Sequence, residues 1–100
     1  MPGKGVDFHP EALAEAQAAL AWYSERSALA ANAFVAELDK AVDAVRDGPL
    51  RWPSYLGETR RFPLWRFPFW VIYREKAQVI EILAVAHARR RPGYWRARSK

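Results

Sequence analysis

Hydrophobic and polar positions change their period twice along the chain. Val6-Asp7-Phe8 alternates and predicts a short first strand. His9-Pro10-Glu11 then opens a helix: proline suits the first helical position, and Glu11 and Glu15 complement the positive helix end. His9 reads as the capping residue. Leu13, Ala16, Leu20 and Tyr23 follow at spacings of three and four and predict one apolar stripe, with Trp22 widening it. Ser24 to Ala28 is a tight connection, and a second helix is expected over 29–47. Its stripe is Phe34, Leu38, Ala41 and Val45, flanked by Val35 and Val42, and Gly48-Pro49 ends it in the order helix ends favour. Two amphipathic helices with a short link form a hairpin that must pack on another layer.

From Thr59 the period becomes that of strands. Residues 49–57 hold Pro49, Pro53 and Gly57 and read as a loop. Pro63 and Pro68 interrupt the next stretch and confine it to a sheet edge or a bulge, after which Phe69 to Tyr73 forms a strand. Glu75-Lys76-Ala77 is the turn. Val79 to Val85 is the most strand-like run, with Ile80, Ile82, Ala84 and Ala86 on one face and Val79, Leu83 and Val85 on the other. A strand apolar on both faces belongs at the centre of its sheet. The predicted fold is α+β, in the order β-α-α-β-β-β, with the hairpin on one face of a small sheet and the other face partly open. Residues 6–95 form one domain, residues 1–5 a flexible N-terminus, and residues 96–100 a basic tail.

Composition narrows what such a fold can do. The chain has 100 residues, 51% of them hydrophobic and 14% aromatic, enough for one core and against disorder away from the ends. A domain of this size buries only about 60–65% of its unfolded surface, so a partner covering apolar area would stabilise it. No cysteine is present, which excludes disulfides, thiolate metal sites and cysteine nucleophiles. The N-terminal Met-Pro-Gly-Lys-Gly has no apolar run of signal-peptide type, and no stretch approaches the ~20 apolar residues of a membrane span. A cytoplasmic location without membrane contact is expected.

Charge divides the chain in two. The net charge is +5, yet residues 1–50 carry four basic and eight acidic groups and residues 51–100 carry twelve basic and three acidic ones. Basic charge gathered in one half suits a face for phosphates or for an acidic protein. Arg60, Arg61, Trp65 and Arg66 fall in one segment, and His87, Arg89, Arg90, Arg91, Tyr94 and Trp95 in another. Guanidinium groups bind phosphate and aromatic rings stack on bases, but the same residue types make protein hot spots, so both target classes stay open. His87, at a strand end, could serve as a general base or as a surface donor. Tyr94 and Trp95 could stack on a target, or pack the tail on the sheet after the Pro92-Gly93 turn. No metal-ligand motif, glycine-rich phosphate loop or nucleophile elbow occurs, so no cofactor or metal is expected.

Phe8-His9-Pro10-Glu11-Ala12, Trp22-Tyr23-Ser24-Glu25-Arg26, Arg61-Phe62-Pro63, Phe67-Pro68-Phe69, Val71-Ile72-Tyr73 and the closing run from Ile82 to Trp95 occur here in one order. In that order and spacing the chain resembles the RelE/ParE superfamily of toxins, in the branch often labelled plasmid-stabilisation proteins. The resemblance implies a helix hairpin on a mainly antiparallel sheet, and a cognate antitoxin whose acidic segment wraps the toxin in a hetero-oligomer. It implies growth arrest by one of two routes: RelE-like ribosome-dependent cleavage of mRNA, or ParE-like poisoning of DNA gyrase without nuclease chemistry.

Carried over residue by residue, the RelE-type site is matched at Arg61, His87 and Tyr94. Two arginines of that site fall at Trp70 and Ala88 and are missing. Arg66, Arg89 or Arg90 would have to supply their charge. The gyrase route is therefore favoured, with Arg60, Arg66, Arg89, Arg90, Arg91 and Trp95 as target- or phosphate-binding residues. A non-toxic basic nucleic-acid-binding domain is the third reading.

Overall fold

Strand β1 (Gly5–Phe8) leads into helix α1 (Pro10–Ser24) and, after a short link, helix α2 (Ala28–Asp47). Strands β2 (Arg60–Pro63), β3 (Phe69–Glu75) and β4 (Val79–His87) follow, and a 3-10 turn at Arg96–Ser99 ends the chain in this computed structural model, which describes residues 4–99. The fold is α+β in the predicted order, two helices packed on a four-stranded sheet.

Local chemistry sets the helix ends. His9 Nδ1 accepts the Glu11 amide at 3.1 Å ahead of Pro10, and Ser27 Oγ accepts the Ala30 amide at 3.1 Å. Gly48 closes α2 by donating its N–H to the Ala44 carbonyl. The strand order is β1-β4-β3-β2, which puts β4 at the centre as its two apolar faces require. β1 and β4 run parallel, an arrangement that the intervening helix hairpin permits, while β3 is antiparallel to both β4 and β2. Pro63 lies in β2, at the sheet edge.

Two expectations about faces are corrected. The first concerns α1: its buried positions are Ala12, Ala16 and Ala19, whereas Leu13 is 46% and Trp22 52% exposed. Small alanines let α1 lie close on β4; Leu20 and Tyr23 of the expected stripe are half-buried against the helix-side core, and only Leu13 and the flanking Trp22 turn outward. The second concerns β4. Tyr73 pairs with Ile82 but Ile72 with Ala84, which leaves Leu83 as an extra residue in a bulge. Ile80 and Ile82 therefore join the helix-side core, and Ala84 and Ala86 point to the opposite face, so strict alternation fails at Leu83.

The helix-side core is built from Ala12, Phe34, Val45, Val71, Tyr73 and Ile82 and their neighbours. The opposite face is less open than expected. Tyr55 and Leu56 from the 49–57 loop and Trp95 from the C-terminal segment cover Ile72, Leu83, Ala84 and Ala86 in a second, smaller core. Near the chain ends the described residues make contacts with the body of the fold. Gly5 pairs with Val79, Lys4 Nζ donates to Glu75 at 2.8 Å, and Arg96–Ser99 is a turn; residues 1–3 and Lys100 lie outside the described residues. Among the described residues, no helix is long and apolar enough to cross a membrane.

Candidate functional site

Strand register carries the candidate residues to the smaller-core face. Arg61 pairs with Ile72 and Trp70 with Ala86, so both side chains stand beside the second core. The Arg61 guanidinium lies between two rings, 4.3 Å from the Tyr55 centroid and 4.2 Å from that of Trp70. Each contact of this kind is worth about 0.5–2 kcal/mol, so the cation is held flat and pre-ordered. Arg90 repeats the device, 3.8 Å over the Tyr94 ring. Arg61, Trp70, His87, Arg90, Arg91 and Tyr94 line one shallow cavity of about 120 Å³.

Lining one cavity does not align them for cleavage. Phe69 is the strand partner of His87, on the helix-facing side, and the His87 ring meets it edge to face at 5.1 Å. His87 Nδ1 accepts the Arg89 amide at 3.0 Å, so that nitrogen is engaged by the backbone of its own turn. The Tyr94 hydroxyl donates to Glu15 at 2.6 Å. Burial and that hydrogen bond push its pKa up from the ordinary value near 10.0, which keeps the phenol protonated.

The remaining expected residues divide. Arg89 and Arg91 are exposed on the turn after β4. Arg60 donates to the Trp52 carbonyl at 2.6 Å, and Arg66 gives Glu37 its backbone N–H at 2.8 Å and its Nε at 3.0 Å. These two arginines brace loops, and the Arg66 charge is matched by a nearly buried carboxylate. Of the two readings of Trp95, stacking on a target and packing on the sheet, the structure has the second: it is 2% exposed in the second core and presents no ring to a target. Its place follows from the Pro92-Gly93 turn, where Gly93 takes a φ of +81°.

Glu15 was read only as a favourable charge in the first helical turns. It is the hub of this end of the molecule. Its carboxylate accepts the Val85 amide at 3.0 Å, the Tyr94 hydroxyl, and Arg98 Nη1 and Nη2 at 2.9 and 3.0 Å. Arg98 also donates to the Leu83 carbonyl at 3.0 Å. Burial alone would lower the Arg98 pKa, but the Glu15 carboxylate outweighs it and raises it. Nothing local in the sequence announces partners some eighty residues apart. Tyr55 and Trp70 were missed for a similar reason, since their only signal is an aromatic ring near an arginine.

A hairpin of helices on a β1-β4-β3-β2 sheet is the α+β fold of ParE-like toxins. Residues 6–92 match the profile of the ParE toxin of the type II toxin–antitoxin system parDE, and the chain belongs to that family. A solved structure titled "Chromosomal ParDE TA system from P. aeruginosa" has the same fold, with a TM-score of 0.61 and 20% identity over 84% of this chain and 95% of that one. No curated protein matches in sequence.

Proposed function

We propose that this chain arrests growth in the cytoplasm by binding DNA gyrase through protein contact, without nuclease chemistry, and that a cognate antitoxin neutralises it in a hetero-oligomer. Membership of the ParE toxin family supports the toxin role. The observation that carries the mechanism is the commitment of both acid–base groups to the fold: His87 Nδ1 to the Arg89 amide and the Tyr94 hydroxyl to Glu15. Phosphodiester cleavage needs a base on the ribose hydroxyl and positive charge around the pentacoordinate phosphate. Trp70 and Ala88 stand where the RelE-type resemblance implies arginines, and Arg66 is engaged by Glu37. Ring-stacked Arg61 and Arg90, flanked by Trp70 and the exposed Arg91, instead have the composition of a protein hot spot.

The test runs the parent chain and His87→Ala in two purified assays, gyrase supercoiling and ribosome-dependent mRNA cleavage. Supercoiling is expected to be inhibited by both proteins, and mRNA to stay intact. Messenger cleavage that falls by roughly 10²–10⁴ in the variant, the usual general acid–base contribution, would replace this reading with the ribonuclease. Inactivity in both assays, with no toxicity in cells, would leave the basic binding domain.

A further inference from the structure

The shallow cavity beside the stacked arginines has an unbalanced lining. Arg61, Arg90 and Arg91 stand in it, and among the described residues no acidic side chain does. Cations gathered without a counter-charge repel one another, and an anion placed among them relieves that cost. Two of the three are also pre-ordered. The Tyr55 and Trp70 rings hold Arg61, and the Tyr94 ring holds Arg90, through the face of the guanidinium. The N–H donors of a guanidinium lie in its plane, so stacking leaves its edges for an acceptor. A fork fixed in this way loses little side-chain entropy when it binds a planar partner with two oxygens.

The floor narrows the choice of anion. Ile72, Ala86 and Trp95 are buried and line the cavity beneath the cations, so its base is apolar. Its volume of about 120 Å³ is well below the roughly 300–1,000 Å³ of a small-molecule site, and fits one anchored side-chain head. An Asp or Glu side chain brings a carboxylate for the rim and methylene groups for the floor. A phosphodiester brings only the charge, and the rings on which a nucleobase would stack already carry guanidinium groups.

We propose that the cavity of Arg61, Arg90 and Arg91 is a carboxylate receptor, which takes an Asp or Glu side chain from an exposed acidic segment of gyrase. The assignment rests on the gyrase reading above and adds the chemistry by which the toxin recognises its target. Arg61 and Arg90 make the paired, directional bonds, and Arg91 at the exposed rim draws the segment in.

The experiment binds the full chain to purified gyrase, with and without DNA, and labels gyrase carboxylates with a carbodiimide and glycinamide. A small set of gyrase Asp or Glu residues is expected to lose label under the parent toxin, without DNA as well as with it. Arg90→Met and Arg91→Glu should each weaken binding by about 100-fold, the scale of a lost hot spot, and restore the label. Arg91→Glu leaves both ring stacks in place, so it reads the cavity even where Arg90→Met disturbs the fold. Arg61→Lys keeps the charge and loses the planar fork, and should still weaken binding by about tenfold. Lys40→Glu makes the same charge reversal on an exposed position of α2 and should change affinity by less than about threefold. Gyrase inhibition with no carboxylate protected, or equal effects of Arg91→Glu and Lys40→Glu, would overturn the proposal and leave the gyrase reading standing. Binding that needs DNA and is competed by a duplex oligonucleotide would overturn it too, and assign the cavity to a phosphate. A parent toxin that leaves supercoiling untouched would remove the gyrase reading and this site with it.

Discussion

The two faces of the sheet are closed by different means. On the helix side, Phe34 touches Tyr23, Phe67 and Phe69 at centroid distances of 5.4–5.7 Å, and Val45 of α2 is buried in one core with Val71 and Tyr73 of β3. That face is held by apolar volume supplied by two regular elements. On the other side a loop and the C-terminal segment cover four core residues of the sheet, and that segment is fastened by the Glu15, Tyr94 and Arg98 hydrogen bonds. In the wider core a buried polar group such as the Tyr73 hydroxyl needs its own partner, here the Pro49 carbonyl, while apolar volume holds the rest. The smaller cover buries less apolar area and depends on charge-assisted bonds, which are directional and stronger than neutral ones. The side with the weaker cover is the one that also carries Arg61, Arg90 and Arg91.

The sharpest test of the helix side is Phe34→Ala. Its ring is 1% exposed among three aromatic partners, so the variant should lose about 3–5 kcal/mol in urea unfolding. Leu13→Ala, on the outward side of α1, should stay within about 0.5 kcal/mol of the parent. Equal losses would mean that the Leu13 stripe, and not the alanine stripe, faces the sheet.

A slightly smaller effect separates a polar fastening from an apolar one. Glu15→Leu leaves the Arg98 guanidinium enclosed without its carboxylate, and should cost about 3 kcal/mol, the low end for a broken buried pair, since Glu15 keeps 17% side-chain exposure. Adding Arg98→Met should recover most of that loss, because two apolar side chains can replace a buried pair without an orphaned charge. Hydrogen exchange should quicken at residues 94–99 in the single variant and slow again in the double. A double variant as unstable as the single would show that the turn is held by packing around Trp95 alone.

The sequence carried the two faces unequally, and for a physical reason. Helix spacing, the His9-Pro10 start, the Gly48-Pro49 stop and the two-sided run of β4 are local signals, and each predicts an element that the structure contains. Choosing the inward stripe of α1 was harder, since an alanine-rich helix offers several faces and only proximity to β4 selects one. The Leu83 bulge has no glycine or proline to mark it and appears only through the pairing with β3. Within the site, Arg61, His87, Arg90, Arg91 and Tyr94 were legible as residue types and do line one cavity. What each side chain does was not legible. Trp95 is core, Arg60 and Arg66 are braces, and Glu15 becomes central only when the C-terminal turn lands on α1.

The smallest expected effect compares the faces through one tyrosine on each. Tyr73, beneath the helices, donates its hydroxyl to the Pro49 carbonyl at 2.6 Å; burial, reinforced by Glu75 and opposed by Arg60, raises its pKa from 10.0 to about 12. Tyr94, on the other side, is raised by burial and by donation to Glu15, against the pull of Arg98 and Arg90. A tyrosine is neutral when protonated, so a folded pKa above the unfolded one stabilises the fold fully below about pH 10. That stability is lost as pH climbs through 10 towards the folded value, at up to about 1.4 kcal/mol per pH unit for each tyrosine. Urea unfolding between about pH 9 and pH 11 should therefore show falling stability in the parent, and Tyr73→Phe and Tyr94→Phe should each flatten the fall. The two variants should differ in where the structure loosens. With Tyr94 replaced and Tyr73 left to ionise, the helix-side core should fail as a unit, because its parts share one packed volume. With Tyr73 replaced and Tyr94 left to ionise, proteolysis after Arg96 and Arg98 should rise before global unfolding, because a phenolate beside Glu15 repels the carboxylate that anchors the turn. Identical cleavage profiles in the two variants would mean that the smaller cover opens only with the whole fold, and the contrast between the faces would not extend to their stability.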